Sequence, residues 1–203
     1  MVGIIDYGVG NLFSLCSSLQ AVGAESFVSG NIADLAKADK LILPGVGAFG
    51  DAADKLRKSG LDVFVCQQAK KGVPLMGICL GMQLLFEKSY EYGEHEGLGL
   101  LKGQVVPMKG ALPESLKIPH MGWNGLHIAN PQSRLLADVK EGDFVYFVHS
   151  FFAQGCEESL AATAEYGVSI PAAVEQGNVF GCQFHPEKSG PVGLAILKAF
   201  SEV

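Results

Sequence analysis

The first half of the chain alternates short apolar runs with longer amphipathic stretches. Short apolar runs bounded by turn residues are typical of buried strands, and apolar residues that recur every three or four positions are typical of helices. The pattern predicts strands over residues 2–5, 26–29, 40–43 and 73–78, and helices over residues 12–22 and 51–71, the second of which Gly60 could interrupt. Such alternation predicts a parallel sheet covered by helices, with reactive side chains at the carboxyl ends of the strands.

The second half differs, because its apolar runs follow one another with little helical pattern between them. Strands are predicted over residues 144–149, 160–165, 172–176 and 179–184, and a last helix over residues 192–200. Gly177 and Asn178 are typical of a two-residue hairpin turn between the last two strands. The sequence therefore predicts one α/β domain over residues 1–203, with a central, mostly parallel sheet flanked by helices and an antiparallel extension.

Composition narrows the class of protein. The chain has 203 residues, 48% of them hydrophobic, which is enough for one well-filled core. A formal net charge of −6 without a basic stripe argues against a nucleic-acid partner. The first residues do not form a signal peptide, and no apolar run is long enough to span a membrane. Five cysteines at irregular spacing suit a reducing compartment, so we expect a soluble cytoplasmic protein.

Two groups of polar residues are predicted to hold no ligand. The acidic stretch over residues 90–96 is typical of a solvated loop. His95, His120, His127 and His149 lack the spacing of metal ligands. We predict neither a metal nor another cofactor.

The segment GICLG, residues 77–81, contains the first candidate for chemistry. It lies where a predicted strand gives way to a helical pattern, and its spacing is that of a nucleophile elbow. Such a turn lifts the central side chain clear of the sheet and points it at the start of the helix, where a thiolate is favoured. The competing interpretation is a buried structural cysteine between two packing glycines. The strand before and the helix after favour Cys79 as a nucleophile.

A thiolate nucleophile usually needs a histidine that moves protons, and the histidine needs an orienting partner. His185 ends a predicted strand within the segment QFHPE, residues 183–187. Glu187 lies two residues later, on the same face, where its carboxylate can bind the ring. A histidine at a strand end is also common as a mere polar edge residue. The pair is nevertheless the best candidate for a base and its partner.

Attack on a carbonyl group also requires donors for the developing oxyanion. The backbone N–H of Leu80, directly after the nucleophile, is one candidate. The glycine-rich segment PGVGAF, residues 44–49, offers the N–H of Val46 as a second, although alone it could be an ordinary loop. Gln83 lies one helical turn after Cys79, so its amide could reach a substrate.

Three separated segments together resemble the class I, triad-type glutamine amidotransferases: PGVGAF, GICLGMQLL and QFHPE, in that order. The resemblance implies that Cys79 attacks the side-chain amide of glutamine and that His185 protonates the departing ammonia. Glu187 completes the triad, and the resulting glutamyl thioester is hydrolysed to glutamate. The other implied site residues are Val46 and Leu80 for the oxyanion, and Gly45, Gly47 and Gln83 for the substrate.

Three further segments resemble one branch of that family, the glutaminase subunits of imidazole glycerol phosphate synthase. They are DYGVGNL at residues 6–12, PHMGWN at 119–124 and YFVHS at 146–150. By this resemblance Ser150 and Phe151 help to hold the α-carboxylate of glutamine, with phenylalanine at 151 in place of the usual tyrosine. It also implies a heterodimer with a (β/α)₈-barrel cyclase subunit that uses the ammonia in histidine biosynthesis. Asn11 and Trp123, the latter in a predicted loop, are the candidate interface residues.

Three alternatives remain open on the sequence. The chain could serve another amidotransferase, such as the anthranilate, aminodeoxychorismate or guanylate synthases, although DYGVGN and PHMGWN argue against this. It could be a stand-alone cysteine hydrolase of the same fold, such as a peptidase or a γ-glutamyl hydrolase. It could also be a binding module with a silent triad.

Overall fold

The computed structural model describes the whole chain, Met1 to Val203. The first half contains β1 (Val2–Ile5), α1 (Leu12–Ala21), β2 (Ser26–Ser29), α2 (Ile32–Leu35), β3 (Lys40–Leu43), α3 (Phe49–Ser59), α4 (Leu61–Lys70), β4 (Leu75–Ile78) and α5 (Leu80–Leu84). Seven strands follow: β5 (Lys88–Ser89), β6 (His95–Glu96), β7 (Gln104–Pro107), β8 (His120–Gly125), β9 (His127–Ile128), β10 (Phe144–His149) and β11 (Phe151–Gln154). The chain ends with β12 (Leu160–Glu165), β13 (Ser169–Gln176), β14 (Val179–Cys182) and α6 (Gly190–Glu202). No helix is both long and apolar enough to cross a membrane.

The main sheet has eight strands in the order β2-β1-β3-β4-β14-β13-β12-β9. The five strands from β2 to β14 are parallel, and β13, β12 and β9 extend the sheet in antiparallel fashion. Two large clusters of buried apolar side chains fill the interior, and helices flank the sheet. The single α/β domain predicted from the sequence, with a parallel sheet and an antiparallel extension, is therefore confirmed.

The predicted long helix over residues 51–71 is two helices. Gly60 separates α3 from α4 and has a φ of 72°, a left-handed conformation that ends the first helix. Glycine adopts this conformation without the steric cost that a Cβ would bring. The break at Gly60 thus occurs where the sequence allowed it.

The predicted strand over residues 144–149 exists but lies outside the main sheet. This strand, β10, pairs only with β8 in an antiparallel ribbon, in which Tyr146 lies opposite Trp123. Trp123 is therefore in a strand, and the prediction that it lies in a loop was wrong. The segment of β8 forms a strand, despite its glycines, because β10 supplies the partner for its backbone hydrogen bonds. This long-range pairing has no local signal in the sequence. A small four-stranded sheet, β11-β7-β5-β6, was likewise not predicted.

Candidate active site

Cys79 lies between β4 and α5 in a strained backbone conformation, with φ 54° and ψ −111°. Positive φ values are uncommon outside glycine and typically mark functional turns. A side chain at position 77 would place its Cβ 2.5 Å from the carbonyl oxygen of Gly81, and one at position 81 would overlap the carbonyl oxygen of Leu43. Both glycines are thus required by close backbone approach, and the sharp turn has the shape of a nucleophile elbow.

The strain at position 79 predicts an effect on stability. We expect Cys79→Gly to have a free energy of unfolding about 1 kcal/mol higher than Cys79→Ala, because glycine adopts this φ without a Cβ clash, which outweighs its larger entropy in the unfolded chain. Both variants lack the thiol, so the comparison isolates the backbone. Urea unfolding followed by circular dichroism measures the difference. A glycine variant less stable than the alanine variant would contradict strain at this residue.

His185 and Glu187 form a buried pair beside the elbow. The Nδ1 atom of His185 lies 2.9 Å from the Oε1 atom of Glu187, and the side chains are 3% and 4% exposed. Since β14 pairs with β4, the segment after β14 is brought next to Cys79, whose backbone N–H donates to the carbonyl oxygen of Cys182. Burial lowers the pKa of His185, but the interaction with Cys79 and the bond to Glu187 outweigh it and raise this pKa to about 9. An imidazolium ring therefore lies between the thiol position and a carboxylate.

A cavity of about 320 Å³ opens beside the thiol, and this volume suits a small-molecule ligand. Cys79 and His185 both line it, although Cys79 is only 7% exposed. The predicted residues Val46, Gly47, Leu80, Gln83, Ser150 and Phe151 also line the cavity. The structure thus brings the candidate nucleophile, base, oxyanion donors and most substrate residues to one place.

The loop between β3 and α3 runs along the start of α5. A Cβ at Gly45 would lie 2.9 Å from the backbone nitrogen of Gly81, so this glycine packs behind the elbow and does not line the main cavity. Gly47 has a φ of 98°, and Val46 between the two glycines is exposed. The buried hydroxyl of Tyr7 donates to the carbonyl oxygen of Pro44 at 2.8 Å and so fixes the start of the loop. Tyr7 was not predicted, because it approaches the loop only through the pairing of β1 with β3.

The side-chain amide of Gln83 is held by hydrogen bonds within the protein, which its position one helical turn after Cys79 does not predict. Its Nε2 atom donates to the carbonyl oxygen of Phe151 at 3.1 Å and to the Oε1 atom of Gln183 at 3.0 Å. Both donors of the amide are therefore used within the protein, and only the oxygen of Gln83 is left for a ligand. Gln183 in turn lies 3.8 Å from the thiol of Cys79.

The acidic stretch over residues 90–96 is exposed for most of its length, as its composition predicts, but one of its carboxylates is buried. Glu91 is buried and lines the cavity, and its carboxylate accepts the N–H of Phe49 at 2.7 Å. Phe49 begins α3, where a carboxylate is favoured by the free N–H groups of the helix start. Burial raises the pKa of Glu91, and the bond from Phe49 and the proximity of His95 oppose this shift. A carboxylate in this cavity can bind a substrate ammonium group.

Of the two candidate interface residues, Asn11 borders the site and Trp123 lies on the surface of the β8–β10 ribbon. Asn11 immediately precedes α1 but makes no capping hydrogen bond, and it borders a void of about 10 Å³ next to Glu187. The Oε2 atom of Glu187 is buried without a hydrogen-bond partner. Trp123 is 55% exposed and packs edge-on against Tyr146, with ring centroids 6.2 Å apart. These positions leave both residues available for contacts outside the chain.

Comparison with known proteins also indicates a glutamine amidotransferase. The family model described as glutamine amidotransferase class-I matches residues 3–202. The chain is 54% identical to imidazole glycerol phosphate synthase subunit HisH of Bacillus licheniformis, over 100% of this chain and 96% of that protein. It is 51% identical to the protein of the same name in Wolinella succinogenes, over the full length of both.

Solved structures resemble the chain in fold. One, described as a crystal structure of glutamine amidotransferase, has a TM-score of 0.76 at 21% identity, covering 100% of this chain and 99% of that one. The structure of PurLQS from Thermotoga maritima has the same TM-score of 0.76 at 24% identity, covering 98% of this chain and 96% of that one. The full-length identity to the HisH proteins is the more specific finding, and this chain belongs to the class I glutamine amidotransferases and, within them, to the imidazole glycerol phosphate synthase subunits HisH.

Proposed function

We propose that this chain is the glutaminase subunit of a cytoplasmic imidazole glycerol phosphate synthase and that residues 1–203 act as one glutaminase domain. The observation that carries the proposal is that Cys79, on a strained elbow, and His185, which is bonded to the buried Glu187, line one cavity. Identity of 54% to a HisH protein over the full chain supports the choice among amidotransferases. Of the competing functions, none has a specific structural observation in its favour.

The reaction begins when the sulfur of Cys79 attacks the side-chain carboxamide carbon of glutamine. The carbonyl oxygen becomes an oxyanion, which the N–H groups of Leu80 and Val46 stabilise. His185 gives its proton to the amide nitrogen, the C–N bond breaks, and ammonia leaves a glutamyl thioester on Cys79. Water then attacks the thioester, its proton passes to His185, and glutamate departs as the thiolate is restored. Glu187 holds the ring in the required orientation throughout.

The cavity also offers groups that can hold the other end of glutamine. The carboxylate of Glu91 suits the α-ammonium group, since it is the acidic side chain that lines the cavity. The backbone of Ser150 and Phe151 is the proposed site of the α-carboxylate. The oxygen of Gln83 is a further acceptor near Phe151. Gly45 contributes by supporting the loop and not by touching the substrate.

A partner is required on chemical grounds. Ammonia released into neutral water is mostly protonated, and ammonium has no lone pair with which to attack an acceptor. A cyclase subunit with a (β/α)₈ barrel, bound as a heterodimer, would receive the ammonia directly and form imidazole glycerol phosphate and an aminoimidazole carboxamide ribonucleotide. Asn11 and Trp123 are the proposed contact residues. Met121, two residues from Trp123 on the same face of β8, is 61% exposed and enlarges this apolar surface.

A coupled assay tests the proposal. The chain is mixed with the histidine-pathway cyclase and its nucleotide substrate, and glutamine-dependent formation of imidazole glycerol phosphate is measured beside glutamate release. We expect product formation with this cyclase and none with the anthranilate or guanylate synthase subunits that accept ammonia. Glutamine hydrolysis that is as fast alone as with the cyclase would favour a stand-alone hydrolase. Transfer to chorismate or xanthylate would favour one of the other amidotransferases.

A further inference from the structure

Two histidines that the proposed chemistry does not use form a buried pair beside the cavity. One of them, His149, lines the cavity, and the other, His120, lies behind it on β8. The Nδ1 atom of His120 lies 3.0 Å from the Nε2 atom of His149. Their side chains belong to β8 and β10, which pair with these two residues directly opposite each other. His120 is 3% exposed and His149 is 6% exposed, so bulk water does not satisfy their ring nitrogens.

The partners of the two rings fix their tautomers. The Nδ1 atom of His149 lies 2.8 Å from the carbonyl oxygen of Phe151, which can only accept, so Nδ1 of His149 carries the proton. Its Nε2 atom then accepts, and the donor is Nδ1–H of His120. The Nε2 atom of His120 is left as an acceptor for the amide of Asn124 at 3.3 Å. The Oδ1 atom of Asn124 accepts the N–H of Gly125 at 2.9 Å, so the amide presents its donors to the ring.

Packing against aromatic side chains holds the ring of His120 in one orientation. The ring of His120 stacks on Tyr166, with centroids 4.1 Å apart, and on Phe147, with centroids 4.6 Å apart. Burial lowers the pKa of His120 to about 4 and that of His149 to about 3. Both rings are therefore neutral at physiological pH, as the chain of donors and acceptors requires.

The His149 end of this series of hydrogen bonds lies at the proposed substrate site. The carbonyl oxygen of Phe151 accepts from His149 and also from Gln83, and Gln83 is linked through Gln183 to the thiol of Cys79. The turn between β10 and β11, which contains Ser150, is thus held from both sides. A shift of His149 would move the backbone of Ser150 and Phe151 relative to the nucleophile.

We propose that His120 is a positioning residue for glutamine, because its Nδ1–H fixes His149 and thereby the backbone of Ser150 and Phe151 in the cavity. The inference rests on the proposed function, since it takes this backbone as the site of the α-carboxylate of glutamine. His120 itself does not line the cavity. It acts on the substrate only through His149.

Four chains test the proposal, all carrying Cys79→Ala so that glutamine binds without turnover. Calorimetric titration with glutamine compares Cys79→Ala alone with the His120→Leu and His120→Asn double variants. Leucine removes the donor and leaves Nε2 of His149 unpaired, whereas the Nδ2 atom of asparagine can occupy the place of Nδ1. We expect leucine to weaken glutamine binding about tenfold, as for a lost buried hydrogen bond, and asparagine to restore it to within about twofold. His127→Leu, at an exposed histidine, is the control and should leave binding unchanged.

Long-range ¹H–¹⁵N correlation spectra give a readout that does not depend on substrate. In the Cys79→Ala chain, both His120 and His149 should show a protonated Nδ1 and an unprotonated Nε2. The opposite tautomer at His120, or equal weakening by leucine and asparagine, would overturn this inference while leaving the proposed function intact. Normal binding by the leucine variant would overturn it as well. Absence of glutamine binding by the Cys79→Ala chain itself would overturn the proposed function, and this inference with it.

Discussion

Cys79→Ala removes glutamine hydrolysis, lowering the rate of glutamate release by at least about a thousandfold. Without the sulfur no thioester forms, and alanine offers no other nucleophile in the cavity. The loss should be a loss of chemistry and not of fold, because Cys79 is a small side chain that protrudes from the elbow. Glutamate release is measured in the complex with the cyclase, and unfolding by circular dichroism.

Two controls separate chemistry from structure in this experiment. Ammonium supplied at high concentration should restore product formation by the complex, since the acceptor subunit then needs no glutaminase. Cys66→Ala replaces a half-buried thiol on α4 that donates to the carbonyl oxygen of Leu98, at 3.6 Å, away from the cavity, and this variant should keep full activity. Undiminished glutamate release by Cys79→Ala would end the case for this nucleophile.

Glu187→Gln has the second largest expected effect, a loss of about 10² to 10⁴ in kcat for glutamine hydrolysis. Glutamine preserves the shape of the side chain but removes the negative charge and can present an N–H group to the ring. The ring of His185 then loses the acceptor that fixes its tautomer, as well as the charge that stabilises its protonated form. Rates are measured with saturating glutamine and cyclase. Glu158→Gln, at an exposed carboxylate, is the matched control and should behave as the parent.

The same variant should change the pH profile in a defined direction. The pKa of His185 is raised to about 9, so its proton is present at neutral pH and is lost as the pH rises through that value. Hydrolysis, which needs this proton for the departing ammonia, should therefore fall at a pH near 9. Removing the charge of Glu187 lowers the pKa of His185, and the alkaline limb should move to lower pH by about one unit or more. An unmoved limb in Glu187→Gln would mean that another group controls it.

The parts of the site that the sequence could indicate are those formed by contiguous residues. The elbow depends on a strand, two glycines and a helix within a few positions, and His185 and Glu187 are two residues apart, so both features leave local patterns. Glu91, Tyr7 and the His120–His149 pair have no such pattern, because each acquires its environment from an element distant in the chain. Glu91 in particular reads as solvent-exposed from its acidic neighbours, and only the start of α3 gives its carboxylate a buried partner.

The same difference between local patterns and long-range contacts explains which strands and pairings the sequence could predict. The parallel strands of the first half are predictable because each is a short apolar run between amphipathic helices. The strand β10 is predictable in the same way, but its pairing with the glycine-rich β8 is not, because the partner is distant in the chain. The strands of the small four-stranded sheet also depend on pairing partners that only the tertiary structure supplies.

The adjacency of β4 and β14 has a consequence for biosynthesis on the ribosome. The strand that precedes Cys79 is made well before its neighbour β14, which pairs with it in register from Val179 opposite Leu75. A nascent chain therefore contains Cys79 without His185, its proposed proton donor, until the segment after β14 has emerged from the exit tunnel. Nascent chains that lack the segment after β14 should therefore not hydrolyse glutamine.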